Sequence, residues 1–273
     1  MANTNPLASN LTLEQQKNLF GNAYLNMLWH CPTDQRFPYW VHLPDCYYDE
    51  KDPHYKLLVI IHGTGCAVED YVRHAKELAD QDHVAVLAPL FPGGLIQRDD
   101  FNSYKLLSCD GIRYDQILLD MIDDMAKRYP GVETDKFFLF GHSGGGQFVN
   151  RFLFAHPEKL CACAIGAPGR PTFLNPDEDY FWGTRDFKNY FGHDVDLAAV
   201  QKVPVLVIVG ENDTKFIGDS PYGDNRVARM KSLQKNLQDH GVHTELTILP
   251  GFAHEGGEKE RVQAAQHFFE AYL

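Results

Sequence analysis

"DKFFLFGHSGGGQFVNRFLF", residues 135–154, changes character within a few positions. A run of β-formers (Phe137, Phe138, Leu139, Phe140) stops at Gly141, Ser143 follows, and Gly144, Gly145 and Gly146 stand behind it. An amphipathic run then begins. A strand that passes through a glycine-lined turn straight into a helix is half of a βαβ unit, the building block of parallel sheets. The turn also puts a hydroxyl where the chain leaves the sheet.

The same alternation extends outward from this stretch. Apolar runs occur at 56–62, 83–90, 136–141, 160–167, 203–210 and 243–250. Most are nearly continuous, as strands covered on both faces should be. Helical patterns fall between them, near 67–81, 112–129, 144–155, 224–240 and 257–272. In the second, Ile112, Leu118, Leu119, Ile122 and Met125 form one apolar stripe. The pattern predicts a mostly parallel sheet with helices on both faces. The first forty residues suggest a leading helix, and "FPYWVHL" (37–43) a strand added ahead of the parallel set. Repeats, low-complexity tracts and linkers are absent from the sequence, so residues 1–273 read as one domain.

Residues 168–200 interrupt the rhythm. They hold seven aromatic residues among thirty-three, with three Pro and three Gly. So long an insertion in a compact domain is functional or disordered, and its aromatic content argues against disorder. The expectation is a lid that starts at the same sheet edge as Ser143, with Phe181 and Trp182 contacting substrate. Tyr104, before the second helix, is a further candidate contact, with Tyr114 beside it.

Gly141-His142-Ser143-Gly144-Gly145 fits G-x-S-x-G, and strand before plus helix after is the context of a nucleophile elbow. Phosphate-binding loops fit poorly: the Walker pattern needs a lysine that is missing, and G-x-G-x-x-G does not occur here. The helix aims free N–H groups at the turn, so the Gly144 amide is a candidate oxyanion donor. The second donor is expected from the loop after an earlier strand, "HGTG" (62–65), at Thr64 or else Gly65. His62 reads as a brace for that loop.

Serine needs a base, and the base an orienting acid. In the expected chain order both come later, at the ends of strands. "VPVLVIVGENDT" delivers Asp213 just past Gly210, and "HTELTILPGFAHEGG" delivers His254 past a Pro-Gly turn. Glu211 is the alternative acid, while Asp219 and Asp224 lie further out. His193 is the rival histidine, without a strand end to fix it; His240 and His243 make a poor metal pair.

The bulk numbers narrow the partners. A formal charge of −12 without a Lys/Arg cluster argues against nucleic acid. No apolar run approaches the ~18 residues of a membrane span, and "MANTNPLASNLTLEQQ" has no secretory pattern. The expectation is a cytoplasmic protein whose six cysteines are free thiols, with Cys161 and Cys163 on one strand face. Neither CxxC nor zinc spacing occurs.

With "IHGTG", "GHSGGG", "GENDT" and "GFAHEGG" in this order, residues 37–273 resemble the α/β-hydrolase superfamily. "ETDKFFLFGHSGGGQF" resembles its dienelactone hydrolase, polyhydroxybutyrate depolymerase and feruloyl esterase branches. The resemblance implies the α/β-hydrolase fold and a serine hydrolase acting on an ester or lactone, with no metal or organic cofactor. Serine at the nucleophile position sets it apart from the dehalogenases and epoxide hydrolases of that superfamily. The expected substrate is a small ester with an apolar or aromatic acyl group. A carbon–carbon hydrolase or lyase could use the same triad, and a binding protein on this fold would usually lack one of its members.

Overall fold

The computed structural model describes residues 26–47, 50, 53–82 and 84–273, so the expected leading helix lies largely outside the described residues. Ten strands are described. They are β1 (Asn26–His30), β2 (Pro38–His42), β3 (Tyr55–Ile61), β4 (Val84–Pro89), β5 (Ser108–Cys109), β6 (Ile112–Arg113), β7 (Val132–His142), β8 (Leu160–Gly166), β9 (Val205–Gly210) and β10 (Thr244–Leu249). Eight form one sheet in the order β1-β2-β4-β3-β7-β8-β9-β10. From β4 to β10 all neighbours are parallel, and β2 joins β4 antiparallel with β1 outside it. The stretch at 37–43 thus holds a strand, β2, ahead of the parallel set as expected.

The helices are α1 (Val68–Asp82), α2 (Tyr114–Arg128), α3 (Gly144–Ala155), α4 (Phe187–Phe191), α5 (Leu197–Val200), α6 (Arg226–Asp239) and α7 (Glu258–Phe269). Strand residues alternate between two cores. Leu57, Val59, Ile61, Leu139, Val205 and Val207 pack with α2, α3 and α6. Leu58, Ile60, Phe138, Phe140, Leu206 and Ile208 pack with α1 and α7. The parts of the central strands inside these cores, 57–61, 137–140 and 205–209, are therefore apolar at every position, which is why their runs are unbroken in the sequence.

Three expectations need adjustment. The second helix starts at Tyr114, not residue 112, because Ile112 and Arg113 pair with Ser108 and Cys109 in a short hairpin. The last helix ends at Phe269 and tightens into a 3₁₀ turn over Glu270–Tyr272. Cys161 and Cys163 do not share a face: the register against β7 shifts between Phe137 and Phe138, so Cys163 enters one core and Cys161 the other. All six cysteines are thiols.

Residues 168–200 are fastened to the body. Asn150 of α3 exchanges hydrogen bonds with the backbone of Thr172 (2.6 and 3.2 Å), and Asn236 of α6 does the same with Leu174 (2.8 and 3.2 Å). Phe173 is fully buried against Tyr222, and Phe187 and Phe191 are buried beside it in the same core.

Candidate active site

The turn after β7 is built by steric exclusion. Ser143 has φ 57° and ψ −111°, a conformation most residues avoid. A side chain on Gly145 would press into the carbonyls of Ile61 and His62 (2.8 Å to the latter), and one on Gly141 would meet the Gly145 backbone at 2.5 Å. Glycine at both positions lets β3 and α3 close on the serine. The Ser143 amide donates to the Gly166 carbonyl of β8 at 2.7 Å, which fixes the turn from its other side.

Two later loops reach this point. Just beyond β9, the Asp213 amide donates to the Gly210 carbonyl at 3.1 Å, leaving the carboxylate buried. Beyond β10, Asn212 donates to Phe252 at 2.8 Å, tying the histidine loop to the acid loop. His254 Nδ1 lies 2.7 Å from Asp213 Oδ2, and its Nε2 lies 2.9 Å from Ser143 Oγ. With Nδ1–H donating to the carboxylate, Nε2 is free to accept the serine proton.

The rivals are placed elsewhere. Glu211 is exposed and accepts from the Gly251 amide at 2.9 Å. His193 bonds the Asp194 carbonyl on the surface of the insertion. His240 bonds Asn236 of its own helix, and His243 faces Glu245. No group of three or more metal-ligating side chains occurs among the described residues.

The loop after β3 lies against the elbow. The Thr64 amide nitrogen is 3.1 Å from the point a Gly144 Cβ would occupy, and Tyr104 Oη and Lys105 Cε crowd the same point. His62 is buried and braces this loop: Nδ1–H donates to the Gly63 carbonyl at 2.6 Å, and Nε2 accepts from the Phe91 amide at 3.0 Å. Burial lowers its pKa to about 4, so it stays neutral. Tyr104 Oη donates to the His62 carbonyl at 3.1 Å and is buried there.

Several residues of the site give no sequence signal. Arg226, the first residue of α6, donates to Asp213 Oδ1 at 3.3 Å. Arg261 of α7 is fully buried and donates to the carbonyls of Ala253 (2.7 Å), His254 (3.2 Å) and Gly256, shaping the histidine loop. His142 Nε2 donates to the His254 carbonyl at 3.1 Å. These contacts depend on how the loops fold back on their helices, and periodicity carries no trace of them.

The residues from 45 to 271 match the dienelactone hydrolase family. The chain belongs to that family. It is a hydrolase with the α/β-hydrolase fold. A comparison with curated protein sequences returns no match. Among solved structures, poly(aspartic acid) hydrolase-1 from Sphingomonas sp. KT-1 is similar at TM-score 0.72 and 20% identity, covering 89% of this chain and 96% of that one. A poly(3-hydroxybutyrate) depolymerase from Bordetella parapertussis gives 0.70 at 19%, covering 97% and 96%. An S-formylglutathione hydrolase from Agrobacterium tumefaciens gives 0.59 at 15%, covering 90% and 93%. No helix among this hydrolase's described residues is long and apolar enough to cross a membrane.

Two cavities flank the insertion of this family member. One, of about 420 Å³, is lined by Asn102, Lys105, Gln147, Arg170, Phe181 and Arg226, with Leu106, Gly169 and Ile217. Its lining touches the elbow through Lys105 and the acid through Arg226. The other, of about 450 Å³, holds Trp182 with Tyr222, Asp177, Glu178, Asp179 and Asp219. Of the three expected aromatic contacts, Phe181 borders both cavities, Trp182 only the outer one, and Tyr104 neither. Trp182 lies there because its ring stacks near Tyr222 and carries the Arg229 guanidinium 5.3 Å from its centroid.

Proposed function

We propose that this hydrolase cleaves a carboxylic ester or lactone through an acyl-enzyme on Ser143. His254 takes the Ser143 proton as the hydroxyl attacks the carbonyl carbon, and Asp213 holds the imidazole in the accepting tautomer. The amides of Thr64 and Gly144 receive the negative charge on the carbonyl oxygen, each donor contributing on the order of 10²–10³ in rate. As the tetrahedral intermediate collapses, His254 returns the proton to the leaving alcohol. Water, deprotonated by the same histidine, then attacks the acyl carbon and releases the acid and free Ser143. This route uses the chain's own side chains and backbone amides, with water. We place the reaction in the cytoplasm on a small-molecule substrate.

The observation that carries this reading is the unbroken pair of contacts from Ser143 Oγ through His254 to Asp213, at 2.9 and 2.7 Å. Such a chain, at the end of three separate parallel strands, has no use in packing a core. Purified protein should hydrolyse p-nitrophenyl esters and bind a fluorophosphonate probe at Ser143. Ser143→Ala should keep the folded spectrum and lose both properties. Probe labelling that persists in the Ala variant would remove Ser143 from the reaction.

A further inference from the structure

The chain carries a formal charge of −12, yet the cavity that reaches the serine turn through Lys105 and Asp213 through Arg226 is lined by three cations and no acid. Lys105, Arg170 and Arg226 line it. Of these, Arg226 is compensated by Asp213. Lys105 is buried, and its ammonium donates to the Asn102 side-chain oxygen at 2.5 Å. Neither Lys105 nor Arg170 makes an ion pair with a carboxylate among the described residues; Asp100, tied to Ser103 and Asn102, acts on Lys105 only through space.

Two more guanidiniums stand directly behind this wall. Arg151, fully buried, donates to the carbonyls of Lys105 (2.5 Å) and Arg170 (2.8 Å), to Thr172 Oγ1 (3.1 Å) and to Gln147 (3.4 Å). Arg229, also buried, spends its donors on the carbonyls of Gly169, Gly218 and Gly223. Neutral acceptors satisfy the hydrogen bonds of both, and neither makes an ion pair with a carboxylate among the described residues. The aromatics of the insertion are turned to the same purpose. Phe181 lies 5.2 Å from the Arg151 guanidinium and 5.9 Å from that of Arg170, cation–π distances rather than an apolar acyl wall.

Burying the Lys105 ammonium beside the Arg151 and Arg170 guanidiniums is unfavourable unless an anion arrives to share the charge. The outer cavity has the opposite sign, with Asp177, Glu178, Asp179 and Asp219 against Arg185, so a general surplus of cations is not the cause. We propose that Lys105, Arg170 and Arg226 form a subsite for a doubly negative group on the substrate, two carboxylates or one phosphate or phosphonate, held beside the carbonyl that Ser143 attacks. The count follows from the two cations that lack a partner. This deepens the ester-hydrolase reading and rests on it for the position of the scissile bond. Burial, with Arg151 adding to it, lowers the Lys105 pKa to about 8, which leaves the ammonium charged at neutral pH.

The test has two arms. In the first, kcat/KM is measured for p-nitrophenyl esters of butyrate (neutral), glutarate (one free carboxylate), tricarballylate (two) and 4-phosphonobutyrate. The expected order rises with charge, by about tenfold for each charge-assisted hydrogen bond the added anion makes, and the rise shrinks as salt is added. The last two esters tell paired carboxylates from a phosphonate. In Arg170→Gln, whose side chain is exposed and whose loss the fold tolerates, the ratio of doubly charged to neutral ester should fall about tenfold; Lys105→Met should do the same. In the second arm, tricarballylate and phosphonoacetate are titrated into Ser143→Ala by calorimetry, which reads the subsite without any chemistry. Binding there that Arg170→Gln weakens supports the subsite even if every ester proves inert, an outcome that would count against the ester reading alone. A neutral ester preferred by the wild type, or tricarballylate and phosphonoacetate binding Ser143→Ala no better with Arg170 than without it, would overturn the proposal.

Discussion

Ser143 sits at φ 57° because both neighbours two positions away are glycine, and that requirement can be tested directly. Gly145→Ala would drive a methyl group into the Ile61 and His62 carbonyls, backbone atoms that cannot swing aside. We expect a loss of about 1–3 kcal/mol or more, with activity falling along with it; a variant as stable as the wild type would show that the turn relaxes freely. Asp213→Asn should leave the geometry but favour the wrong imidazole tautomer, lowering turnover on the order of 10⁴-fold. Glu211→Gln, by contrast, should stay near wild-type activity, since that carboxylate only accepts from the Gly251 amide. The reverse outcome would exchange their roles. Ser143, Asp213 and His254 were legible in the sequence because each follows a recognisable apolar strand, and parallel strands deliver their loops to one edge. Lys105, Arg170 and Arg226 follow no such signal. Lys105 sits in a 3₁₀ turn, Arg170 in an irregular stretch, and Arg226 opens a helix with an ordinary polar face.

At the scale of elements, most parallel strands and the long helices were readable to within two or three residues, since two covered faces write a continuous apolar run; β7 starts four residues ahead of its apolar run, through the polar stretch 133–136, and β1 and the β5–β6 hairpin leave no such run. The insertion was harder. Its aromatic content correctly signals order, but composition cannot say what the rings face. In the structure Phe173, Phe187 and Phe191 enter the core, while Phe181 and Trp182 stack on arginines. What holds 168–200 is two asparagines on helices, Asn150 and Asn236, each gripping one backbone position of the insertion in both directions. Asn236→Ala should unpair the Leu174 amide and carbonyl, costing about 1–3 kcal/mol. Limited proteolysis should then cut first within 168–200. Cleavage that begins elsewhere at an unchanged rate would mean the buried aromatics alone secure the segment.

For the whole molecule, the buried neutral histidines and one buried carboxylate set how stability responds to acid. Burial lowers the pKa of His62 from its ordinary 6.5 to about 4, and holds His142 well below its ordinary value, helped by Arg261 and His254 nearby. Between those limits the unfolded chain binds a proton that the folded protein refuses. The stabilisation is therefore complete above pH 6.5 and drains away as pH falls toward 4, by up to about 3 kcal/mol for His62. Asp115 behaves differently. Burial alone would raise its pKa, but hydrogen bonds from His156 (2.8 Å) and Arg113 (2.6 and 2.9 Å) outweigh that and hold it near 2. Its contribution, about 2 kcal/mol, is intact above its ordinary 3.8 and is lost only as pH drops toward 2. Denaturant unfolding followed from pH 8 down to 3 should thus show two stages, a fall from 6.5 to 4 and a second fall starting below 4. His62→Asn can keep one loop hydrogen bond but cannot protonate, so it should be less stable at pH 7 and lose stability more gently between 6.5 and 4. An unchanged slope in that window would place the acid sensitivity on His142 or on another group, and would remove His62 from the account.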